Sequence, residues 1–233
     1  MSRFTDSATS AAPEAQRIVS VECAGLKLGD THVLTEVNLS LTRGEIVFMY
    51  GPNGAGKSSF LRLLAGELRP TQGRVEIAAG LRSALMGDTP VLYDVLTPPE
   101  HLMFFSRFWK EDIDVTSVLR RFNLEHLAKS YGRELSLGER QRLSMALLAV
   151  GKPDLVLLDE PFNGLDRQTS DLLRDTVRVI VAAGGTCVIV SHAVEQVRDL
   201  APRLVVLDGG RVTHDDAVRP RQEVADRVFE ALP

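Results

Sequence analysis

The stretch Gly51-Pro52-Asn53-Gly54-Ala55-Gly56-Lys57-Ser58-Ser59 matches G-x-x-x-x-G-K-S, a pattern whose residue types suit the binding of phosphate. Its glycines let consecutive backbone N–H groups turn inward as an anion nest, and a helix beginning near Lys57 adds the positive end of its dipole. Lys57 is then placed along the β- and γ-phosphates of a nucleotide, and the Ser58 hydroxyl faces a magnesium ion. Further along, the apolar run Leu155–Leu158 ends in Asp159 and Glu160. Asp159 offers the oxygen ligand a hard cation prefers, and Glu160 is placed to orient or deprotonate an attacking water. His192 directly follows Ser191 and the apolar run Cys187–Val190, which puts an imidazole at the same end of a strand. Taken singly, an acidic strand end or a lone histidine is an ordinary structural feature.

A second anion site is legible at Leu135-Ser136-Leu137-Gly138-Glu139-Arg140-Gln141-Arg142. Ser136 followed three residues later by Glu139 is a capping box ahead of the apolar helix Leu143–Val150. The start of that helix presents free N–H groups to an anion.

Positioning these groups requires a sheet whose strands end together. The apolar run Ile46–Tyr50 precedes the glycine-rich loop and Phe60–Gly66 follows it with helical spacing, a strand–loop–helix unit. The runs 155–158, 187–190 and 204–207 read as strands covered on both faces, as in a parallel sheet, where ligands gather at the carboxyl ends. Helices are expected at 167–183 and 194–200, a hairpin turn at Asp208-Gly209-Gly210, and a short amphipathic helix over 221–232. Val19, Val21 and Cys23, then Val33, Val37, Leu39 and Leu41, alternate as half-buried, antiparallel strands do. From Pro98 to about Val150 only helical spacing is present, with Leu102, Phe105 and Trp109 on one face. The cluster Phe104, Phe105, Phe108 and Trp109 is expected mostly to pack a small helical core, with a partner-binding patch as the alternative.

The chain has 233 residues, 44% of them hydrophobic and 25% charged, within the range of a globular protein with a sizeable core. A net charge of −4 argues against nucleic-acid binding. No apolar stretch reaches the roughly 20 residues of a membrane-spanning helix, so a membrane role needs a partner that supplies the spans. Cys23 and Cys187 lack metal-ligand spacing and are expected to be buried, reduced thiols of a cytosolic protein. Residues 1–17 read as a flexible tail without a secretory core, and 18–233 as one domain with a helical insertion at about 89–152.

These motifs, in this order, resemble the ATP-binding subunit of ABC (ATP-binding cassette) transporters from about Val19 onward: P-loop at 51–58, signature at 135–141, acidic strand at 155–160, D-loop at 164–166, switch histidine at 192. The stretches 92–97 and 100–102, and the form Ser136-Leu137-Gly138, are similar to small exporter-type subunits. The resemblance implies an α/β P-loop NTPase fold, with a mixed RecA-like sheet, an antiparallel β subdomain and an inserted helical subdomain. It implies ATP and Mg2+ as cofactors and a head-to-tail pairing with a second copy or another cassette, in which Gly51, Asn53, Gly54, Ala55, Gly56, Lys57, Ser58 and Ser59 of one copy hold the nucleotide. Ser136 and Gly138 of the other copy would meet the γ-phosphate, with Glu139 of the same helix start in the nucleotide-binding set. Glu160 would be the main base, supported by His192, while Asp166 would link the two active sites. The partner implied is a transmembrane permease, holding the subunit at the inner face of the membrane and driven by ATP hydrolysis, with export the favoured direction. A soluble ABC ATPase, or an ATP-gated regulator of a membrane complex, is the alternative.

Three positions depart from the family pattern. Leu28 stands where an aromatic ring commonly stacks on adenine, Asp88 where the Q-loop glutamine approaches magnesium, and Glu139 where the signature carries glutamine. Capping-box geometry would turn the Glu139 carboxylate back to the Ser136 N–H and away from phosphate.

Overall fold

A computed structural model describes residues 16–192, 194–200 and 202–216. The three apolar runs form β6 (Leu155–Asp159), β7 (Thr186–Val190) and β8 (Arg203–Asp208), and with β3 (Ile46–Tyr50) they build the centre of a six-stranded sheet. Its order is β5-β6-β7-β3-β8-β9, with β5 at Ser83–Met86 and β9 at Arg211–Asp215. All neighbours are parallel except β8 and β9, which form the hairpin expected at the glycine pair. The pleat divides the core. Val47, Met49, Leu155, Leu157, Val188 and Val190 face one side, packed with α1 (Lys57–Leu64); Phe48, Val156, Leu158 and Ile189 face the other, packed with α4 (Leu137–Gly151) and α5 (Arg167–Ala182). Helix α6 spans Val194–Arg198.

A second sheet, β2-β1-β4, is antiparallel and joins β1 (Arg17–Leu28), β2 (Thr31–Thr42) and β4 (Gln72–Ile77). The alternation expected from Val19 and Val21 breaks at Cys23, which has φ 47° in a bulge, so that Ala24 and Leu26 point inward instead. Cys23 is therefore exposed rather than buried, its N–H held by Asn38 Oδ1 at 2.9 Å, whereas Cys187 is buried as expected. Arg17 opens β1 rather than closing a tail; residues 1–15 and the helix expected over 221–232 lie outside the described residues. Strands β4 and β5 were not legible in the sequence. β4 is exposed on nearly every residue and is recruited by pairing with β1, so it needs no apolar alternation of its own.

The two sheets are joined by Arg203, whose Nε and Nη2 donate to Asp215 (2.7 and 2.6 Å) while Nη1 donates to Glu45 at 3.2 Å and to Ser40 O at 2.9 Å. All three charges are largely withdrawn from water, so losing Arg203 would leave two buried carboxylates without a compensating charge.

Between β5 and β6 the regular elements are helical: α2 (Pro98–Trp109), α3 (Val115–Arg121), α4 and two 3-10 turns. Leu102 is fully buried where α2 packs on α4. The aromatic cluster, however, splits. Phe105 and Trp109 are half-buried beside Leu102, but Phe104 and Phe108 are 47% and 65% exposed. Their i, i+4 spacing forms a separate stripe on the helix's outer face, so the expectation of mostly core packing fails for these two.

His101 fixes the loop leading into α2. Buried to the last atom, it accepts the Tyr93 N–H at Nε2 (3.0 Å) and places Nδ1 3.0 Å from Thr97 O, which makes it the Nδ1–H tautomer. Burial holds its pKa below the usual value, against the opposing pull of Thr97 and Glu100. The unfolded chain thus binds the proton more readily, and His101 contributes stability above about pH 6.5 that is lost as pH falls from there toward its depressed folded value. Replacement by Ala leaves the Tyr93 N–H unpaired and is expected to cost about 1–3 kcal/mol. Thermal unfolding between pH 7.5 and 5 should show a lower Tm at pH 7.5 and a shallower loss on acidification than in the unsubstituted chain.

Candidate functional site

The cradle closes at the carboxyl ends of β3, β6 and β7. Gly51 ends β3 against Leu207 O, where a Cβ would stand 2.0 Å away; no side chain fits. Gly56 has φ 99° and caps α1, and its missing Cβ leaves room for Val33 O of β2. The first turn of α1 carries no acidic residue, so its N–H groups remain available to an anion. Lys57 opens that helix and is buried, its Nζ donating to Gly51 O at 2.6 Å and Pro52 O at 3.0 Å. Burial pushes its pKa down, while Glu160 and Asp159 pull it back up.

A cavity of about 310 Å3 lies here, between Asn53, Gly54 and Gly56–Ser59 on one wall and Asp159, Glu160 and His192 on the other, with Val33 at the rim. Asp159 Oδ1 and Glu160 Oε1 are buried without hydrogen-bond partners. Two orphaned carboxylate oxygens in the cavity that Ser58 also lines fit a magnesium ion and a water that the carboxylates would hold. Glu160 has φ 48°, a strained backbone for a residue with a Cβ, fixed by its N–H to Val190 O at 2.8 Å. The His192 N–H donates to Glu160 Oε2 at 3.2 Å, its Nε2 lies 2.9 Å from Asn53 Oδ1, and the same Nε2 is 3.2 Å from Glu160 Oε1. One strand end, one loop and one histidine are thus locked together.

The helix start at Ser136, expected as a second anion site, stands apart from this cavity. Ser136 caps α4; its N–H and Oγ–H donate to Glu139 Oε2 at 2.7 and 2.8 Å, and Glu139 N–H reaches back to Ser136 Oγ at 3.4 Å. Burial would raise the Glu139 pKa, but these bonds from Ser136 outweigh it and lower the value. The carboxylate is turned back as capping-box geometry requires. Gly138 has open space where a Cβ would be, so the helix start presents backbone to whatever approaches. Asp166 caps α5 by accepting Thr169 N–H at 2.7 Å, and Gln141 Nε2 reaches Asn163 O at 3.4 Å, packing the loop after β6 on the start of α4.

The structure therefore brings Asn53, Gly54, Gly56, Lys57, Ser58, Ser59, Asp159, Glu160 and His192 around one cavity, with Gly51 and the buried Ala55 completing the turn. Ser136, Gly138, Glu139 and Asp166 do not reach it within one chain. Asp88 does not either: it is exposed, and its carboxylate accepts the neighbouring Thr89 N–H at 2.7 Å. Leu28 is 43% exposed and off the cavity wall. Val33 is the residue that sequence reasoning missed; its alternation marked only a strand, and nothing local showed that β2 passes over Gly56.

The chain resembles known proteins over most of its length. Residues 34–163, more than half of the chain, match the family described as ABC transporter. An aliphatic sulfonates import ATP-binding protein of Nocardia farcinica is 35% identical over 88% of this chain and 85% of its own length. A Nod factor export ATP-binding protein of Mesorhizobium japonicum is 33% identical over 88% of this chain and 65% of its own. A solved ATP-binding subunit of an ABC transporter superposes with a TM-score of 0.80 at 26% identity, covering 91% of this chain and 98% of that one.

Proposed function

We propose, for a chain that belongs to the ABC transporter family as an ATP-binding subunit, that it hydrolyses ATP between two cassettes to drive a separate transmembrane subunit, in the direction of export. The observation that carries this reading is that the residues suited to γ-phosphate fall into two separate sets within one chain. One set surrounds the cavity and the other opens outward at Gly138, so a single chain holds half a site twice.

In this reading the nest at 51–58 and the start of α1 bind the triphosphate, and Lys57 exchanges one of its loop carbonyls for phosphate oxygens. Ser58 and Asp159 would hold a magnesium ion, which supplies neutralisation of phosphate charge when bound. Glu160 Oε1 orients the attacking water and takes its proton as the water oxygen bonds to the γ-phosphorus and the bridging bond to ADP breaks. His192 donates toward the γ-phosphate, and Ser136 and Gly138 of the second cassette close the other side. Asp88, exposed beyond the cavity, acts on coupling to the membrane subunit rather than on magnesium.

The surface for that subunit is the outer face of α2. Met103, Phe104 and Phe108 are exposed and line one groove with Leu96, and Val91 and Val95 in the preceding loop are exposed as well. No helix among the described residues is long and apolar enough to cross a membrane, which fits spans supplied by a partner. The test is co-purification from detergent-solubilised membranes. Phe104→Asp is expected to lower recovery of the transmembrane partner at least about tenfold, the effect of losing one anchoring aromatic of about 1.4 kcal/mol or more, with nucleotide binding unchanged. Recovery of the chain with ribosomes and no membrane protein would oppose the transporter reading.

A further inference from the structure

The switch histidine is held in a way that the roles above do not explain. His192 Nε2 stands 2.9 Å from Asn53 Oδ1 and 3.2 Å from Glu160 Oε1. An ionised carboxylate only accepts hydrogen bonds, so a ring nitrogen beside Glu160 carries the proton. Asn53 must then present its carbonyl oxygen, not its amide nitrogen, to that proton. Yet Glu160 Oε1 has no hydrogen bond of good geometry. The ring N–H is aimed at Asn53 and passes the carboxylate by.

We propose that Asn53 is a positioning residue that fixes His192 as the Nε2–H tautomer and draws its hydrogen away from Glu160 in the nucleotide-free chain. Two consequences follow for the site. The imidazole meets an arriving γ-phosphate with its donor already on the nitrogen that faces the cavity. The Glu160 oxygen meant for water is left uncapped, because its nearest donor is occupied by Asn53. The Glu160 Oε2 oxygen is held separately by the His192 backbone N–H, so the two carboxylate oxygens are assigned different tasks by one neighbour. The value of this arrangement to hydrolysis rests on the function proposed above; the tautomer itself does not.

Long-range proton–nitrogen NMR of nucleotide-free protein, with His192 assigned by its loss in His192→Gln, reads the tautomer directly. The unsubstituted chain is expected to show a protonated Nε2 and a bare Nδ1. Asn53→Ala should produce a mixture of tautomers, whereas Asn53→Asp, which keeps the accepting oxygen, should retain the Nε2–H form. In the same Asn53→Ala protein kcat should fall about three- to tenfold with KM changing less than twofold. A protonated Nδ1 in the unsubstituted chain, or tautomers unmoved by Asn53→Ala in a variant of normal Tm, would overturn the proposal. The first of these needs no variant to fold. If the unsubstituted chain hydrolyses no ATP while the tautomer responds as stated, the functional reading fails and the positioning role stands.

Discussion

Glu160→Gln is expected to lower ATP turnover by about 100- to 1000-fold, within the range that a positioned general base contributes. Glutamine keeps the shape, and its carbonyl oxygen can still accept the His192 N–H that now reaches Glu160 Oε2. What it cannot do is take a proton from water at the position of Oε1, which is buried and free of hydrogen bonds. Because the cradle is untouched, nucleotide should bind as before and persist. Steady-state phosphate release and nucleotide retention on a desalting column measure the two halves of this expectation. Turnover within threefold of the unsubstituted chain would remove Glu160 from the role of base.

Lys57→Ala is expected to act a step earlier, on binding. The Lys57 ammonium is already desolvated and pre-aimed, donating to Gly51 O and Pro52 O at the entrance of α1. Its loss removes two charge-assisted bonds to phosphate, together about 3 kcal/mol or more, so ATP affinity should fall at least about 100-fold. The two loop carbonyls also lose their donor, and a modest drop in Tm should accompany the change. Titration calorimetry against ATP with magnesium separates these effects. An affinity within threefold of the unsubstituted chain would contradict the assignment of the loop as the phosphate cradle.

The parts of this molecule that were legible in its sequence are those whose chemistry is local. A strand buried on both faces must be continuously apolar, so β6, β7 and β8 were visible in Leu155–Leu158, Cys187–Val190 and Leu204–Leu207. A capping box depends on residues three apart, so the turned-back carboxylate of Glu139 was visible too. What was hidden depends on contacts far along the chain. β4 exists because β1 offers it an edge, and Val33 reaches the cavity because the antiparallel sheet packs over Gly56. Cys23 turned outward because a bulge shifted the alternation by one residue, which period-2 reasoning cannot foresee. Phe104 and Phe108 were misread for a related reason. An aromatic run on a helix fills two stripes, and only packing decides which one is buried; here α4 covers the stripe of Leu102 and leaves the other bare.

The division of the γ-phosphate contacts between two sets of residues is the claim on which the functional account stands. It is tested most directly by the mass of Glu160→Gln in solution, by sedimentation velocity with and without ATP and magnesium. The account predicts a monomer without nucleotide and a dimer with ATP, and it predicts that adding Lys57→Ala to the same chain abolishes the dimer. A Glu160→Gln chain that binds ATP and stays monomeric at concentrations well above its nucleotide affinity would contradict it.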